Sequence, residues 1–333
     1  MTVALLEVRD LRVAFRTREG TVRAVNDVSF SLDHGQTMGL VGESGSGKTV
    51  TALTILGLTR SEQTEIAGEV LLDGVDLVNL PGSELRDLRG RRVGMVFQDP
   101  LSSLHPMYRI GWQIAEAIQA HERVSKNAAR ARAVELVRSV GIPSPEARVD
   151  AYPHELSGGM RQRVMIAIAL ALGPDLLIAD EPTSALDVTV QAQILELLAR
   201  LQSETGMALL VVSHDLGVIA EQADEVVVMY AGRVVEQGTR DEVIGAAIHP
   251  YTRGLLESIP HVDGPRMAQL TPIPGSPPNA VDLPPGCAFH PRCAHARPSC
   301  SERVPALLRV GPEHRVACPV LAPAGPSTAD TPR

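Results

Sequence analysis

Aromatic side chains are scarce in this 333-residue chain: one Trp, four Tyr and four Phe leave little for base stacking. Together with a formal net charge of -8, that scarcity argues against a nucleic-acid-binding surface. Lysine is scarcer still, since of 31 basic residues only Lys48 and Lys126 are lysines, a bias we ascribe to genome composition. Long apolar runs are missing too. The longest, Val164 to Leu172, falls far below the roughly 18 to 20 residues that span a bilayer, and Glu7, Arg9 and Asp10 interrupt any would-be signal peptide. The chain is therefore expected to be soluble and to stay where it is made. Cysteine is absent until Cys287, and all four lie between there and Cys318. In a reducing compartment such clustering favours metal binding over disulfides.

What is present reads as one large core with an appendage: 44% of residues are hydrophobic, enough to bury it. Alternating apolar positions at Val3, Leu5, Val8, Leu11 and Val13, and again over Ala24 to Leu32, predict an opening layer of antiparallel strands. A short apolar strand, Met38 to Val41, runs into a glycine loop and then a helix over Val50 to Leu58. Between Asp99 and Arg163 the pattern is helical, with amphipathic helices over Ile110 to Ala120 and Ala128 to Val140. Strands over Leu176 to Ala179, Ala208 to Val212 and Glu225 to Tyr230, with a helix over Val190 to Gln202, have the rhythm of a parallel α/β sheet. Beyond about residue 245 prolines crowd a segment of little periodicity, and the last dozen residues read as a disordered end.

Three stretches carry chemistry. Gly42-Glu43-Ser44-Gly45-Ser46-Gly47-Lys48-Thr49 fits G-x-x-x-x-G-K-[ST]: glycines let amides converge on phosphate oxygens, Lys48 reaches the β and γ phosphates, and the Thr49 hydroxyl binds Mg²⁺. With a strand before it and a helix opening at Val50, ATP is the expected ligand and a bare glycine turn the poorer reading. Leu176 to Glu181 is an apolar strand delivering two carboxylates at its C-terminal end, where ligands gather in open α/β sheets. Asp180 suits the Mg²⁺ shell, and Glu181 suits the general base that orients or deprotonates the attacking water. Leu156-Ser157-Gly158-Gly159-Met160 precedes a helical run over Gln162 to Leu172. Ser157 is then either a plain N-cap or, with the amides of Gly158 and Gly159, a γ-phosphate site.

In this order the three stretches resemble the ATP-binding subunits of ABC transporters. That resemblance implies an α/β fold: a P-loop (RecA-like) nucleotide-binding domain with an antiparallel β-subdomain, a helical subdomain at about 100–165 carrying the signature, and a small C-terminal extension. The implied division is 1–245 for the ATPase domain, 246–320 for the extension and 321–333 for the disordered tail. It also gives roles to single residues. Gln98 looks like the Q-loop glutamine on Mg²⁺ and the attacking water, and His214 like the switch histidine on the γ-phosphate. Asp187, in Ser184-Ala185-Leu186-Asp187, looks like the D-loop residue. Phe15 stands where such proteins place a ring on adenine, although many have tyrosine there. The Ser157 to Gly159 turn would read the nucleotide held by the opposite subunit, and the nucleotide's own loop would run from Gly42 through Val50.

Outside these motifs the resemblance narrows to dipeptide and oligopeptide importers, with nickel importers among their relatives. The phrases Tyr152 to Arg163, Ala185 to Gln193 and His249-Pro250-Tyr251-Thr252-Arg253 carry it, and Met160-Arg161 looks like the first of two unlike ATPases in such systems. Implied partners are a second ATPase subunit forming a heterodimer, two membrane permeases and an extracytoplasmic substrate-binding protein, with no nucleic acid. The implied place is the cytoplasmic face of the cell membrane, as a peripheral protein. Four thiolates at Cys287, Cys293, Cys300 and Cys318 suit zinc or an iron-sulfur cluster, with unligated thiols as the bland reading. Some members of this branch hold a [4Fe-4S] cluster there, and the gaps lack the C-x₂-C pairs of zinc ribbons, so the cluster is the expectation and Zn²⁺ the alternative. A soluble ABC ATPase acting on DNA or ribosomes is disfavoured by the absence of a second cassette, a long coiled coil or basic arms.

Overall fold

The computed structural model describes residues 4–184, 186–258 and 272–321. The chain divides into two compact units: residues up to 6, 32–37 and 72–212 form the first, and 7–31, 38–71 and 213 onward the second.

In the first unit the strands Val93–Val96, Leu176–Asp180 and Ala208–Ser213 pair in parallel, Val93 opposite Leu176 and Leu176 opposite Ala208. Every residue of Leu176–Asp180 is buried, so this strand reads as an unbroken apolar run, as expected of a parallel sheet covered on both faces. The helix Ile110–Gln119 buries Ile110, Ile114 and Ile118, and Lys126–Ser139 buries Ala129, Ala133 and Val137. Both are stripes at a spacing of four, one face of an α-helix. Gly158–Ala169 starts four residues earlier than its periodicity suggested, because Ser157 caps it and the two glycines already lie in its first turn. The helix Val188–Thr205 is likewise longer at both ends, capped by Asp187 and closed by Gly206 in the left-handed conformation.

In the second unit the strands Leu6–Thr17 and Gly20–Leu32 form a hairpin, closed by the Thr17 hydroxyl donating to the Gly20 carbonyl at 2.7 Å. The strand Thr64–Leu72 lies on the other side of Leu6–Thr17. The apolar alternation slips phase between Val8 and Leu11 because Asp10, at φ 46°, kinks the strand, its N–H held by the Ser29 hydroxyl at 2.8 Å. Thr37–Val41 pairs in parallel with Glu225–Tyr230, which turns back into Arg233–Thr239. Arg233–Thr239 then takes Arg315–Val316 as its antiparallel neighbour, and Leu308–Arg309 pairs with that, so the C-terminal residues extend a sheet rather than trail from it.

A buried carboxylate fixes this edge. Glu236 is 0% exposed, and its Oε1 accepts from the Ile248 N–H and His314 Nε2, both at 2.8 Å, while Oε2 accepts from the His249 N–H at 3.1 Å. Three-fold hydrogen bonding is what a carboxylate needs once removed from water. Among the described residues no helix is long and apolar enough to cross a membrane. The disordered end expected over 321–333 lies, beyond residue 321, outside the described residues.

Candidate functional site: a phosphate loop and an acidic strand end

The phosphate loop belongs to the second unit. A Cβ on Gly42, at φ 153°, would sit 2.2 Å from the Met229 carbonyl oxygen, and one on Gly47, at φ 102°, 2.4 Å from that of Ala24. Only glycine fits either place. Gly47 leads into the helix Lys48–Ile55, whose N-terminus has no side-chain cap. Lys48 is 4% exposed, and its ammonium donates to the carbonyls of Gly42 at 2.6 Å and Glu43 at 3.0 Å. A buried ammonium and an uncapped helix start, both enclosed by glycine backbone, fit a polyphosphate. Ser44, Gly45 and Thr49 are exposed, Ser46 is buried, Val50 is half-buried in the helix's first turn, and Phe15 is half-buried on its strand. The helix begins at Lys48 rather than Val50 and stops at Ile55, because Gly57 at φ 63° turns the chain out.

The acidic strand end belongs to the first unit. Asp180 is 3% exposed, and Glu181 follows at φ 46°, a left-handed conformation unusual for a side chain this long. Its N–H is held by the Val212 carbonyl at 2.8 Å, which fixes that strained residue to the neighbouring strand. Gln98 Nε2 donates to Glu181 Oε2 at 2.8 Å, and the Ser184 hydroxyl contacts the backbone carbonyls of Glu181 at 3.0 Å and Gln98 at 3.4 Å. Sequence reasoning chose Gln98 and Glu181 separately, and the fold joins them; it did not find Ser184.

The turn at Ser157 is complete in itself. Its hydroxyl accepts the Met160 N–H at 3.3 Å, and both Ser157 and Gly158 are exposed. A Cβ on Gly159 would lie 2.6 Å from Val190 Cγ1, so that glycine is needed for close packing of two helices. Asp187 is exposed and caps the helix Val188–Thr205 through the Val190 N–H at 3.0 Å. His214 is exposed just past the strand Ala208–Ser213.

The iron-sulfur expectation is corrected. All four cysteines are free, and although Cys287, Cys293, Cys300 and Cys318 line one small cavity with Phe289 and Pro319, no group of three or more His, Cys, Asp or Glu among the described residues is placed to hold a metal ion. Burial first of all pushes the thiols of Cys287 and Cys293 up, which favours the protonated form over the thiolate that either a cluster or zinc requires. Clustering in sequence reflects here a shared packing site. Its neighbours Cys287 and Cys300 are tied by backbone, the Cys287 N–H donating to the Cys300 carbonyl at 2.7 Å.

Sequence reasoning also missed what surrounds the phosphate loop. The Glu43 N–H donates to Tyr251 Oη at 2.7 Å, and the Glu43 carboxylate accepts from both terminal nitrogens of Arg292, at 2.6 and 3.0 Å. Tyr251 is fully buried against Tyr230 and Phe289, with ring centroids 4.6 and 5.4 Å away. Both residues stand in phrases the sequence made conspicuous, His249 to Arg253 and Cys287 to Cys293, but their partner lies 208 and 249 positions upstream.

Comparison with known proteins agrees with the geometry. The family model for ABC transporters matches residues 25–184, and that for the oligopeptide/dipeptide transporter C-terminal region matches 235–300. The chain is 50% identical over 323 residues to the oligopeptide transport ATP-binding protein OppD of Bacillus subtilis, covering 97% of this chain and 90% of that one. It is 48% identical to a probable peptide ABC transporter ATP-binding protein of Sinorhizobium fredii, covering 94% of each. A solved dimer of a bacterial ABC transporter cassette superposes with a TM-score of 0.63 at 28% identity, over 71% of this chain and 98% of that one. The chain belongs to the ABC transporter family, in the branch of the oligopeptide transport ATP-binding proteins.

Proposed function

We propose that the chain is the ATP-hydrolysing subunit that powers import of di- and oligopeptides, working as one of two unlike ATPases beneath two membrane permeases fed by an extracytoplasmic binding protein. Residues 1–245 form the ATPase domain and 246–320 the extension, and the protein works at the cytoplasmic face of the membrane. The observation that carries the reading is the Gln98–Glu181 hydrogen bond. It links a carboxylate at the acidic strand end to a segment that next exposes Leu101, Met107, Tyr108 and Trp112. Exposed apolar side chains grouped in one stretch suit a partner surface, and here they suit a permease.

Glycines Gly42, Gly45 and Gly47 with the amides of Ser44 to Val50 cradle the phosphates, Glu43 shaping the same loop, Lys48 neutralises them, and Phe15 packs on the adenine. Water attacks the γ-phosphorus, the bond to the β–γ bridging oxygen breaks, and the water proton passes to the Glu181 carboxylate. Gln98 and His214 hold the water and the γ-phosphate in line. Thr49, Asp180 and Gln98 would hold Mg²⁺, which would supply positive charge against that building on the phosphates. Ser157, Gly158, Gly159 and Asp187 complete the partner's nucleotide site, so each subunit depends on the other.

Deleting the gene should abolish uptake of labelled di- and tripeptides while free amino-acid uptake continues. Loss of nickel accumulation with intact peptide uptake would assign the chain to a metal importer instead. At the shared interface, Ser157→Arg should lower turnover of the assembled transporter more than tenfold while changing ATP affinity of the isolated chain less than about twofold. Equal losses in both would make Ser157 a local cap.

A further inference from the structure

The reading above uses neither Arg292 nor Tyr251, yet both are built around the phosphate loop. Arg292 is 8% exposed and each of its nitrogens is occupied. Nε donates to the Pro274 carbonyl at 2.8 Å, and the two terminal nitrogens form a fork on the Glu43 carboxylate, one of them also donating to Tyr230 Oη at 3.3 Å. The guanidinium lies 5.8 Å from the Tyr230 ring centroid and 5.9 Å from that of Phe289. A paired fork with stacked faces is the geometry that makes arginine irreplaceable by lysine.

Glu43 is the first variable residue of the loop, and it is held at three points. Its carboxylate is on Arg292, its N–H on Tyr251 Oη, and its carbonyl on the Lys48 ammonium. The residue that orients the phosphate-binding lysine is therefore gripped from the far side by the C-terminal extension. There is also a charge argument. An unpaired carboxylate in a loop that receives a polyanion repels it, and at short range inside protein that repulsion is strong. Arg292 cancels that charge while keeping its own side chain out of the phosphate cradle.

We propose that Arg292 is a positioning residue for the phosphate loop: with Tyr251 it fixes Glu43 and neutralises its carboxylate, so that ATP binding by the cassette depends on the extension. This deepens the ATPase reading and rests on it. Burial and the aromatic contacts describe how the grip is made rigid, since rotamer freedom has already been lost before nucleotide arrives.

The test measures ATP affinity of the full-length chain. Arg292→Met keeps the volume and leaves Glu43 bare; it should raise the Kd for ATP about tenfold, equivalent to about 1.4 kcal/mol. Adding Glu43→Gln to Arg292→Met removes the exposed charge and should recover at least about half of that loss on a logarithmic scale, a rescue that repair of packing alone does not provide. Tyr251→Phe, which deletes only the hydroxyl, should weaken ATP binding about threefold with the thermal midpoint measured alongside. If Arg292→Met does not fold, Arg292→Gln serves in its place, since it also leaves the Glu43 charge uncancelled, with the same loss and the same rescue expected. Wild-type affinity in the folded Arg292 variant, or a double variant no better than the single one, overturns the proposal. Failure of the wild-type chain to bind ATP would instead overturn the ATPase reading itself.

Discussion

Two glycine-rich turns each open a helix in this protein, and they are finished in opposite ways. At Gly47 the helix Lys48–Ile55 starts without a side-chain cap, next to a buried lysine and walls of backbone that admit no Cβ. At Ser157 the helix Gly158–Ala169 is capped by its own serine, on an exposed surface. The first turn has no side-chain cap of its own and is enclosed by backbone that admits no Cβ. The second satisfies itself and faces outward, so any anion it meets must be brought to it. On the proposed function one sequence type serves as a resident site and as a visiting site, and the two turns differ in burial and capping rather than in the glycines.

The sharpest way to separate the hydrolytic machinery from both turns is at Glu181. Glu181→Gln should lower turnover of the assembled transporter by about a hundredfold to ten-thousandfold while ATP binding is retained, as expected for loss of a general base. Near-normal turnover would remove Glu181 from that role. At the first turn, Lys48→Ala removes the ammonium and should weaken ATP binding by the isolated chain roughly ten- to a hundredfold. An effect there no larger than that of a change at Ser157 would erase the distinction between resident and visiting sites.

A third helix start sharpens the comparison, because its cap is a buried histidine. His249 Nδ1 accepts the Tyr251 N–H at 3.1 Å, which places the ring proton on Nε2. Burial pushes the His249 pKa down to about 3 from its ordinary 6.5, so between those values the unfolded chain binds a proton that the folded chain refuses. The resulting stabilisation is complete above pH 6.5 and is lost as the pH falls toward 3, by roughly 2 kcal/mol at pH 5. In urea titrations His249→Asn, which keeps a capping acceptor, should flatten the fall in stability between pH 6.5 and 5; an unchanged slope would mean that His249 is not the titrating group. The smallest effect belongs to the second turn, where Ser157→Ala should cost about 1 kcal/mol of folding stability through the lost cap alone.

Much of the architecture was legible because its signals are local. The buried run Leu176–Asp180, the glycine spacing around Lys48 and the stripes of Ile110, Ile114 and Ile118 or of Ala129, Ala133 and Val137 each lie within one element. Helix boundaries moved where a cap overruled periodicity, as at Ser157 and Asp187. The phase slip at Asp10 could not be read from hydropathy, which carries no backbone angle. Long-range pairs were the real blind spot. Gln98 with Glu181, and Glu43 with Arg292, are contacts that only the closed fold creates. The cysteines failed in the other direction: a pattern conspicuous in sequence gave four free thiols, two buried and two half-buried, because thiolate ligation needs an environment that stabilises negative charge and these line a small cavity beside Phe289 and Pro319.

Glu236 has a consequence for anyone shortening this protein. A cut near residue 245, the proposed end of the ATPase domain, would remove Ile248, His249 and His314 together, the three donors that hold a carboxylate fully buried in the intact fold. Such a minimal cassette would retain every nucleotide motif and still be expected to express poorly, open its sheet edge and aggregate. The shortest piece expected to fold is therefore set by the hairpin containing Arg315–Val316, well past the last of the nucleotide motifs.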